Sequence, residues 1–184
     1  GRARCLVGHP VNPPHLVPIV ELAPAPWTDP EVVTRARAIY AAAGQSPVTL
    51  KREVDGFILN RLQAVLLAEA FRMVAAGVCT PQDLDTTIKD GLGLRWSFMG
   101  PFETIDLNAP EGLADYAHRF GAMYQSIAEE QTSTEPWSEA LIQKLEAQRR
   151  AVLPADRLLE RRLWRDRRLM GLAAHKMQAE RDES

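Results

Sequence analysis

The sequence predicts a mainly α-helical protein with a small α/β segment at residues 1–54. All three strand-like apolar runs of the chain occur before residue 52. Beyond Asp55-Gly56, apolar residues recur at helical spacing and no convincing strand pattern returns. We therefore place a boundary near residues 52–55 and expect two domains, 1–54 and 55–184.

The first 51 residues predict the order strand, strand, helix, strand. The middle helix has a clear start, because a Thr-Asp pair precedes Pro30 and Glu31 in the first turn. We expect it to end near Gly44. The strands are predicted at residues 5–7, 17–22 and 46–51. This order is typical of the final part of an α/β sheet.

Helix-start signals divide the remainder of the chain. Residues 56–77 form its most apolar stretch and predict a helix enclosed by other helices or by a second subunit. Thr80 is the predicted cap of the next helix, which should end at Gly91, and residues 91–95 are predicted to form a loop. Further starts are predicted at 100–103, 108–111, 134–137 and 154, and the last helix should reach about residue 180.

Composition excludes several classes of protein. Of 184 residues, 46% are apolar and 25% charged, and the net charge of −2 gives no pull towards nucleic acid or an anionic membrane. Five polar residues interrupt the longest apolar stretch, which predicts no membrane span. No basic region with an apolar run opens the sequence, so we expect no secretory signal. Cys5 and Cys79 have no metal-like spacing and are expected to be buried free thiols in a reducing cytoplasm.

His9 and Glu21 are the first candidates for chemistry. Each belongs to the end of a predicted strand, and the segment between them contains four prolines, which stiffen it. A histidine and a carboxylate that meet in a cleft form a general base with its orienting partner. The alternative is a core histidine unrelated to the glutamate, and spacing alone favours that alternative.

Three stretches, taken together, resemble the 3-hydroxyacyl-CoA dehydrogenase superfamily. Residues 8–14 (GHPVNPP) with 20–22 (VEL) resemble its catalytic histidine–glutamate segment. Residues 53–62 (EVDGFILNRL) resemble its asparagine-bearing helix start, and 99–106 (MGPFETID) its C-terminal-domain signature. Details at 10–14, 91–95 and 107–109 are most similar to the λ-crystallin / L-gulonate 3-dehydrogenase branch. The resemblance covers nearly the whole chain.

The resemblance implies a fold, a cofactor and a reaction. The fold is the all-α C-terminal domain of a 6-phosphogluconate/3-hydroxyacyl-CoA dehydrogenase-like enzyme, preceded by the last strands and a helix of a Rossmann domain. The cofactor is NAD. The substrate is a small-molecule hydroxy acid oxidised at its 3-hydroxyl, either an L-gulonate-like sugar acid or a 3-hydroxyacyl-CoA. His9 would be the general base, Glu21 its partner, and Asn60 a third catalytic residue.

Two further residues are candidate substrate contacts. Arg95 could hold a substrate carboxylate through a two-pronged guanidinium contact, or it could be an ordinary surface arginine. Asn12 could contact substrate or merely form the turn between prolines. For Asn60 the alternative to a site role is a local contact at the helix start. We find no metal-ligand spacing among the four histidines and predict no metal site.

A basic run spans residues 149–168 and encloses Trp164. A nucleic-acid surface would use such arginines for phosphate contacts and the ring for stacking. Acidic residues are interspersed, however, and the leucines keep helical spacing. A solvated helix face with ion pairs is therefore the favoured interpretation, and no nucleic-acid partner is expected.

One family feature has no counterpart in the sequence. No G-x-G-x-x-G follows a strand, so the turn that cradles the NAD pyrophosphate is missing, together with the family's upstream serine. We expect that the chain begins within the nucleotide-binding domain and that it does not bind NAD by itself. We also expect a homodimer through the helical part. The rival hypothesis is a non-catalytic dimerisation or structural helical module.

Overall fold

The computed structural model describes residues 1–131 and 136–182 and confirms a mainly α-helical protein with a small sheet. The strands are β1 (Leu6–Pro10), β2 (Ile19–Pro24) and β3 (Ser46–Thr49). The helices are α1 (Pro30–Ala42), α2 (Leu59–Ala75), α3 (Pro81–Thr87), α4 (Gly93–Trp96), α5 (Pro101–Asp106), α6 (Leu113–Glu130), α7 (Glu139–Val152) and α8 (Leu158–Asp182). A π-helical segment, Ile88–Leu92, joins α3 to α4, and short 3-10 helices cover Arg2–Arg4 and Ala155–Arg157.

The chain divides into two compact units. The first comprises Gly1–Val65 with Leu153–Ser184, and the second comprises Leu66–Val152. This division differs from the domain boundary predicted after residue 54, which stays a prediction.

The sheet of the first unit is built around β2. Strand β1 pairs with it antiparallel, and β3 pairs with it parallel after the chain has crossed over through α1. Residues 20–23 of β2 are all buried, and Leu22 is fully enclosed. Since few other described residues reach that degree of burial, the central strand is the core of this unit. Any polar side chain on β2 must find its partners inside the protein.

Several predicted helix boundaries are confirmed. Asp29 occupies the N-cap position of α1, without a capping hydrogen bond from its side chain, and Pro30 lies in the first turn. Thr80 caps α3 in a reciprocal capping box with Asp83, as its position predicts. The last helix runs to Asp182, close to the predicted end. The start predicted at 134–137 falls partly outside the described residues.

Other predictions are wrong in instructive ways. The loop predicted at residues 91–95 is helical, because the π turn continues directly into α4. The helix start predicted at 108–111 is too early by about one turn, since α6 begins at Leu113, after Gly112 with its left-handed φ of 80°. The described residues of this chain do not enclose helix α2, of which Val74 is the one buried residue among those described, and its enclosure by a second subunit stays a prediction. The two cysteines are free but not buried.

None of the described helices combines the length and apolar character that crossing a bilayer requires. The basic run lies along α7 and α8 and forms the ion pairs expected of a solvated face, including Arg150–Glu146 and Arg157–Glu160. Arg161 also lies over the Trp164 ring, 3.6 Å from its centroid.

Gly8 of β1 makes a close approach that only glycine permits. A Cβ at this position would lie 2.6 Å from Tyr40 Oη of α1, which packs over the strand next to His9. The phenol ring therefore occupies the space that a side chain at residue 8 would need.

We predict that Gly8→Ala lowers the free energy of unfolding by about 1–3 kcal/mol, the usual cost of overpacking. Adding Tyr40→Phe should recover part of the loss, because it removes the hydroxyl oxygen and leaves Cζ of the ring as the nearest atom, 3.3 Å from the added Cβ. Urea denaturation of the single and double variants measures both effects. Gly121→Ala is the matched control, since nothing lies within 4 Å of a Cβ there. A double variant no more stable than Gly8→Ala would show that the hydroxyl is not the obstacle.

Candidate active site

Strand register brings His9 and Glu21 together. The two residues are direct partners in the antiparallel β1–β2 pair, so their side chains project from the same face. His9 Nδ1 lies 3.0 Å from Glu21 Oε2. Although twelve positions separate the two residues in the sequence, the strand pairing thus places their side chains in contact. This is the arrangement that the sequence predicts for a base and its partner.

Glu21 is also bound from its other side. Its side chain is only 1% exposed. Oε1 accepts hydrogen bonds from the backbone N–H groups of Ile58 and Leu59, at 2.8 and 3.0 Å. These amides belong to the start of α2, where the first N–H groups of a helix have no intrahelical acceptor and where the helix dipole is positive. The buried carboxylate is therefore fully used as an acceptor, which offsets the cost of removing it from water.

This bonding pattern assigns the tautomer of His9. A carboxylate oxygen that faces Nδ1 requires a proton on Nδ1, so the neutral ring carries its lone pair on Nε2. Within residues 1–131 and 136–182, no group hydrogen-bonds to Nε2. The His9 side chain is 28% exposed. The ring is thus held from inside while its basic nitrogen is free to accept a proton.

Phe57 is a neighbour of His9 that the sequence reasoning missed. Its ring stacks on the imidazole with centroids 4.9 Å apart and planes inclined by 27°. Its backbone φ is +50°, and Gly56 before it has φ +77°. The Asp55-Gly56 turn signal before a helix could have pointed to this loop, but nothing in the sequence announces a left-handed phenylalanine.

Asn60 and Asn12 belong to the same unit as the His9–Glu21 pair. Asn60 lies in the first turn of α2, directly after the two amides that bind Glu21, and its side chain is exposed. Asn12 is exposed in the turn after β1 and precedes a cis proline. In the part of the chain that the structure describes, neither side chain has a hydrogen-bond partner, so their site roles stay predictions.

Arg95 belongs to the second unit and lies on α4, not on a loop. It is exposed, and no carboxylate among the described residues pairs with it. Its charge is felt by Tyr124, whose hydroxyl lies 2.7 Å from that of Tyr116. The hydrogen bond with Tyr116, helped by burial, raises the pKa of Tyr124, and the Arg95 charge acts in the opposite direction. An unpaired guanidinium beside phenol hydroxyls could bind a carboxylate.

No group of three or more potential metal ligands comes together among the described residues. The chemistry that the geometry does offer is proton transfer. A histidine with a fixed tautomer, a buried carboxylate behind it and an open Nε2 form the class of site that removes a proton from a hydroxyl group.

Comparison with known proteins identifies the family. Residues 1–54 match the NAD binding domain of 3-hydroxyacyl-CoA dehydrogenase, and residues 56–153 match the C-terminal domain of the same enzyme family. The chain therefore belongs to the 3-hydroxyacyl-CoA dehydrogenase family, and NAD is the cofactor of the matched domain. Both expectations from the sequence are confirmed.

Several curated proteins are similar over most of the chain. A lambda-crystallin homolog from Bos taurus is 48% identical over 95% of this chain and 55% of its own length. Lambda-crystallin from Oryctolagus cuniculus is 44% identical over the same shares. L-carnitine dehydrogenase from Streptomyces griseus is 44% identical over 73% of this chain and 38% of its own length. The chain thus spans about half the length of the curated relatives that it matches.

Solved structures show the same fold. An NAD+-dependent 5-dehydrogenase of a 3-hydroxy-2-methylpyridine carboxylic acid superposes with a TM-score of 0.75 at 24% identity, over 94% of this chain and 55% of that one. A 3-hydroxyacyl-CoA dehydrogenase from Archaeoglobus fulgidus superposes with a TM-score of 0.56 at 29% identity, over 77% of this chain and 47% of that one.

The residues present fit one part of an NAD site. The open Nε2 of His9 fits the reacting end, where a hydroxyl must lose its proton. The sequence contains no G-x-G-x-x-G to cradle a pyrophosphate, so the matched part of the NAD-binding domain lacks that element.

We predict that Glu21→Gln reverses the tautomer of neutral His9. Two backbone donors face Oε1 and one ring nitrogen faces Oε2, so the amide should turn its oxygen to Ile58 and Leu59 and its NH₂ to Nδ1. The proton must then move to Nε2, which removes the free lone pair. Two-bond ¹H–¹⁵N NMR of the ring at alkaline pH distinguishes the two tautomers.

Glu21→Gln should also lower the free energy of unfolding by about 1–3 kcal/mol, because the charge-assisted contact with His9 is weakened while the helix amides keep an acceptor. Glu53→Gln is the control, since Glu53 is exposed in the same unit. If His9 keeps its proton on Nδ1 in the Glu21→Gln variant, the carboxylate does not set the tautomer.

Proposed function

We propose that the protein carrying this chain is an NAD-dependent dehydrogenase that oxidises the 3-hydroxyl of a hydroxy acid, with His9 and Glu21 as its catalytic pair. The supporting observation is the doubly bound carboxylate of Glu21, which holds Nδ1 of His9 on one side and the start of α2 on the other. Membership of the 3-hydroxyacyl-CoA dehydrogenase family supports the oxidoreductase class.

Oxidation of a secondary alcohol removes one proton from oxygen and one hydride from carbon. In this proposal, Nε2 of His9 takes the hydroxyl proton as the carbonyl forms. NAD, when bound, accepts the hydride from the same carbon. The ring then carries two protons and a positive charge, which the Glu21 carboxylate stabilises through Nδ1. In the reverse direction the same Nε2 returns its proton to the alkoxide oxygen.

The remaining candidates would position the substrate. Asn60 is proposed to donate from its amide to the reacting oxygen, supported by its place in the first turn of α2. Asn12 follows the strand that carries His9 and is a proposed second polar contact. Arg95 is proposed to bind the carboxylate of a free hydroxy acid, which its lack of an acidic partner among the described residues supports. That role favours an L-gulonate-like sugar acid over a CoA thioester.

The second candidate function is a non-catalytic dimerisation or structural module. The exposure of large apolar side chains on helices of the chain, such as Leu62 and Val65 of α2 and Met123 and Ile127 of α6, favours an assembly surface. Relatives named lambda-crystallin keep this alternative open. A homodimer is compatible with either function, so activity rather than assembly must distinguish them.

We predict that His9→Ala lowers kcat by about 10²–10⁴-fold, the usual contribution of a general base. Substrate KM should change little, because His9 acts on the reacting proton. NADH absorbance measures turnover of L-gulonate, 3-hydroxybutyrate and 3-hydroxybutyryl-CoA by the protein that carries this chain together with a complete nucleotide-binding domain. His15→Ala is the control, since His15 is exposed in the turn after β1. Unchanged turnover after loss of His9 would refute the proposed function.

We predict that Arg95→Gln raises KM for a free hydroxy acid by about 10–100-fold, the equivalent of one charge-assisted hydrogen-bond pair. The CoA thioester, which has no carboxylate at that point, should be affected far less. Arg95→Lys should recover only part of the affinity, because it keeps the charge and loses the planar fork. Arg162→Gln on the exposed face of α8 is the control. Equal losses for both substrates would exclude a carboxylate-specific role.

A further inference from the structure

The segment Gly56–Leu59 contacts both members of the catalytic pair. The ring of Phe57 lies against the imidazole of His9, and the next two backbone amides donate to Glu21 Oε1. His9 and Glu21 also contact each other, since Glu21 Oε2 accepts a hydrogen bond from His9 Nδ1, so the segment and the two side chains are in mutual contact. Three consecutive residues, 57–59, therefore contact the histidine or its carboxylate partner, and Gly56 precedes them.

The backbone of this segment is unusual at Phe57. Its φ of +50° follows the +77° of Gly56, so the chain passes through two left-handed residues in succession before α2 begins. Glycine adopts this conformation freely, whereas a side-chain-bearing residue pays about 1–2 kcal/mol. Among described residues, Phe57 is the one non-glycine residue with positive φ. Strain of this kind persists where the surrounding structure requires a particular geometry.

One hydrogen bond leaves the orientation of an imidazole incompletely fixed, because hydrogen bonds tolerate a range of angles. The contact between Nδ1 and Oε2 therefore leaves some freedom in the side-chain torsions of His9. A contact with the face of the ring reduces this freedom. The Phe57 ring, inclined by only 27° to the imidazole, is placed to supply it.

We propose that Phe57 is a positioning residue for His9, whose left-handed backbone places an aromatic face against the imidazole and so fixes the direction in which Nε2 points. This inference rests on the proposed function, because the direction of Nε2 matters only if Nε2 takes a proton. Phe57 does not itself react. It determines whether the base meets the hydroxyl in the geometry that transfer requires.

The first test needs no substitution. NMR of the 184-residue chain should show NOEs between the ring protons of His9 and Phe57, and the His9 ring protons should be displaced upfield by the phenyl ring current. Absence of both would overturn the inference.

The second test compares Phe57→Leu, Phe57→Tyr and the control Phe71→Leu. Phe71 is also a stacked aromatic residue, on Trp137 with centroids 3.9 Å apart, and it belongs to the other unit. Phe57→Leu should abolish the upfield displacement of the His9 protons while the proton stays on Nδ1, because Glu21 Oε2 still faces that nitrogen. Phe57→Tyr keeps the aromatic face and should preserve the displacement. Phe71→Leu should leave it unchanged.

Turnover supplies the third readout, in the protein that carries this chain together with a complete nucleotide-binding domain. Phe57→Leu should lower kcat by about 10–100-fold, as a misdirected catalytic group does, with KM nearly unchanged. Phe57→Tyr should recover most of kcat. If His9→Ala abolishes turnover while Phe57→Leu behaves like Phe71→Leu, the positioning role is refuted and the proposed function stands.

Discussion

The carboxylate of Glu21 is the interaction on which the first unit depends. It lies on the central strand, in the most buried stretch of the described residues, and accepts hydrogen bonds from a histidine on β1 and from two amides at the start of α2. An isolated charge at this depth would be strongly destabilising. The hydrogen bonds that stabilise the buried carboxylate also connect β2 with β1 and with the start of α2. One side chain therefore both holds the fold together and orients the histidine.

The hydrogen bonds between Glu21 and the start of α2 explain the backbone conformation of the chain between β3 and α2. The first amides of a helix can reach a buried carboxylate only if the chain enters the helix from a suitable direction. Gly56 and Phe57 provide the change of direction through consecutive left-handed conformations. The phenyl ring that this turn carries arrives against His9. The backbone conformation of Gly56 and Phe57 therefore positions the helix amides against Glu21 and the phenyl ring against His9. A change in this conformation should disturb both contacts.

The sequence predicts the chemistry of the first unit better than its geometry. His9 and Glu21 are recognisable as candidates, and the structure places them together, although by cross-strand register rather than by meeting at two strand ends. Phe57 is invisible in the sequence because a positive φ at an aromatic residue has no compositional signature. The prediction of a loop at residues 91–95 is wrong because the sequence does not reveal the π turn there either. Two glycines usually end a helix, but here the Gly93 amide bonds to Ile88 O in a π turn, where a Cβ would lie 2.9 Å from that oxygen.

Substrate choice is a separate problem from proton transfer. The His9–Glu21 pair would act on any secondary alcohol placed at Nε2, since it contacts only the hydroxyl that reacts. Discrimination between a sugar acid and a thioester must therefore come from residues that contact the rest of the molecule. Arg95 is proposed for this role because no carboxylate in the described part of the chain neutralises its charge. The similar proteins include an L-carnitine dehydrogenase and a 3-hydroxyacyl-CoA dehydrogenase, so names within this family already differ in the substrate that they give.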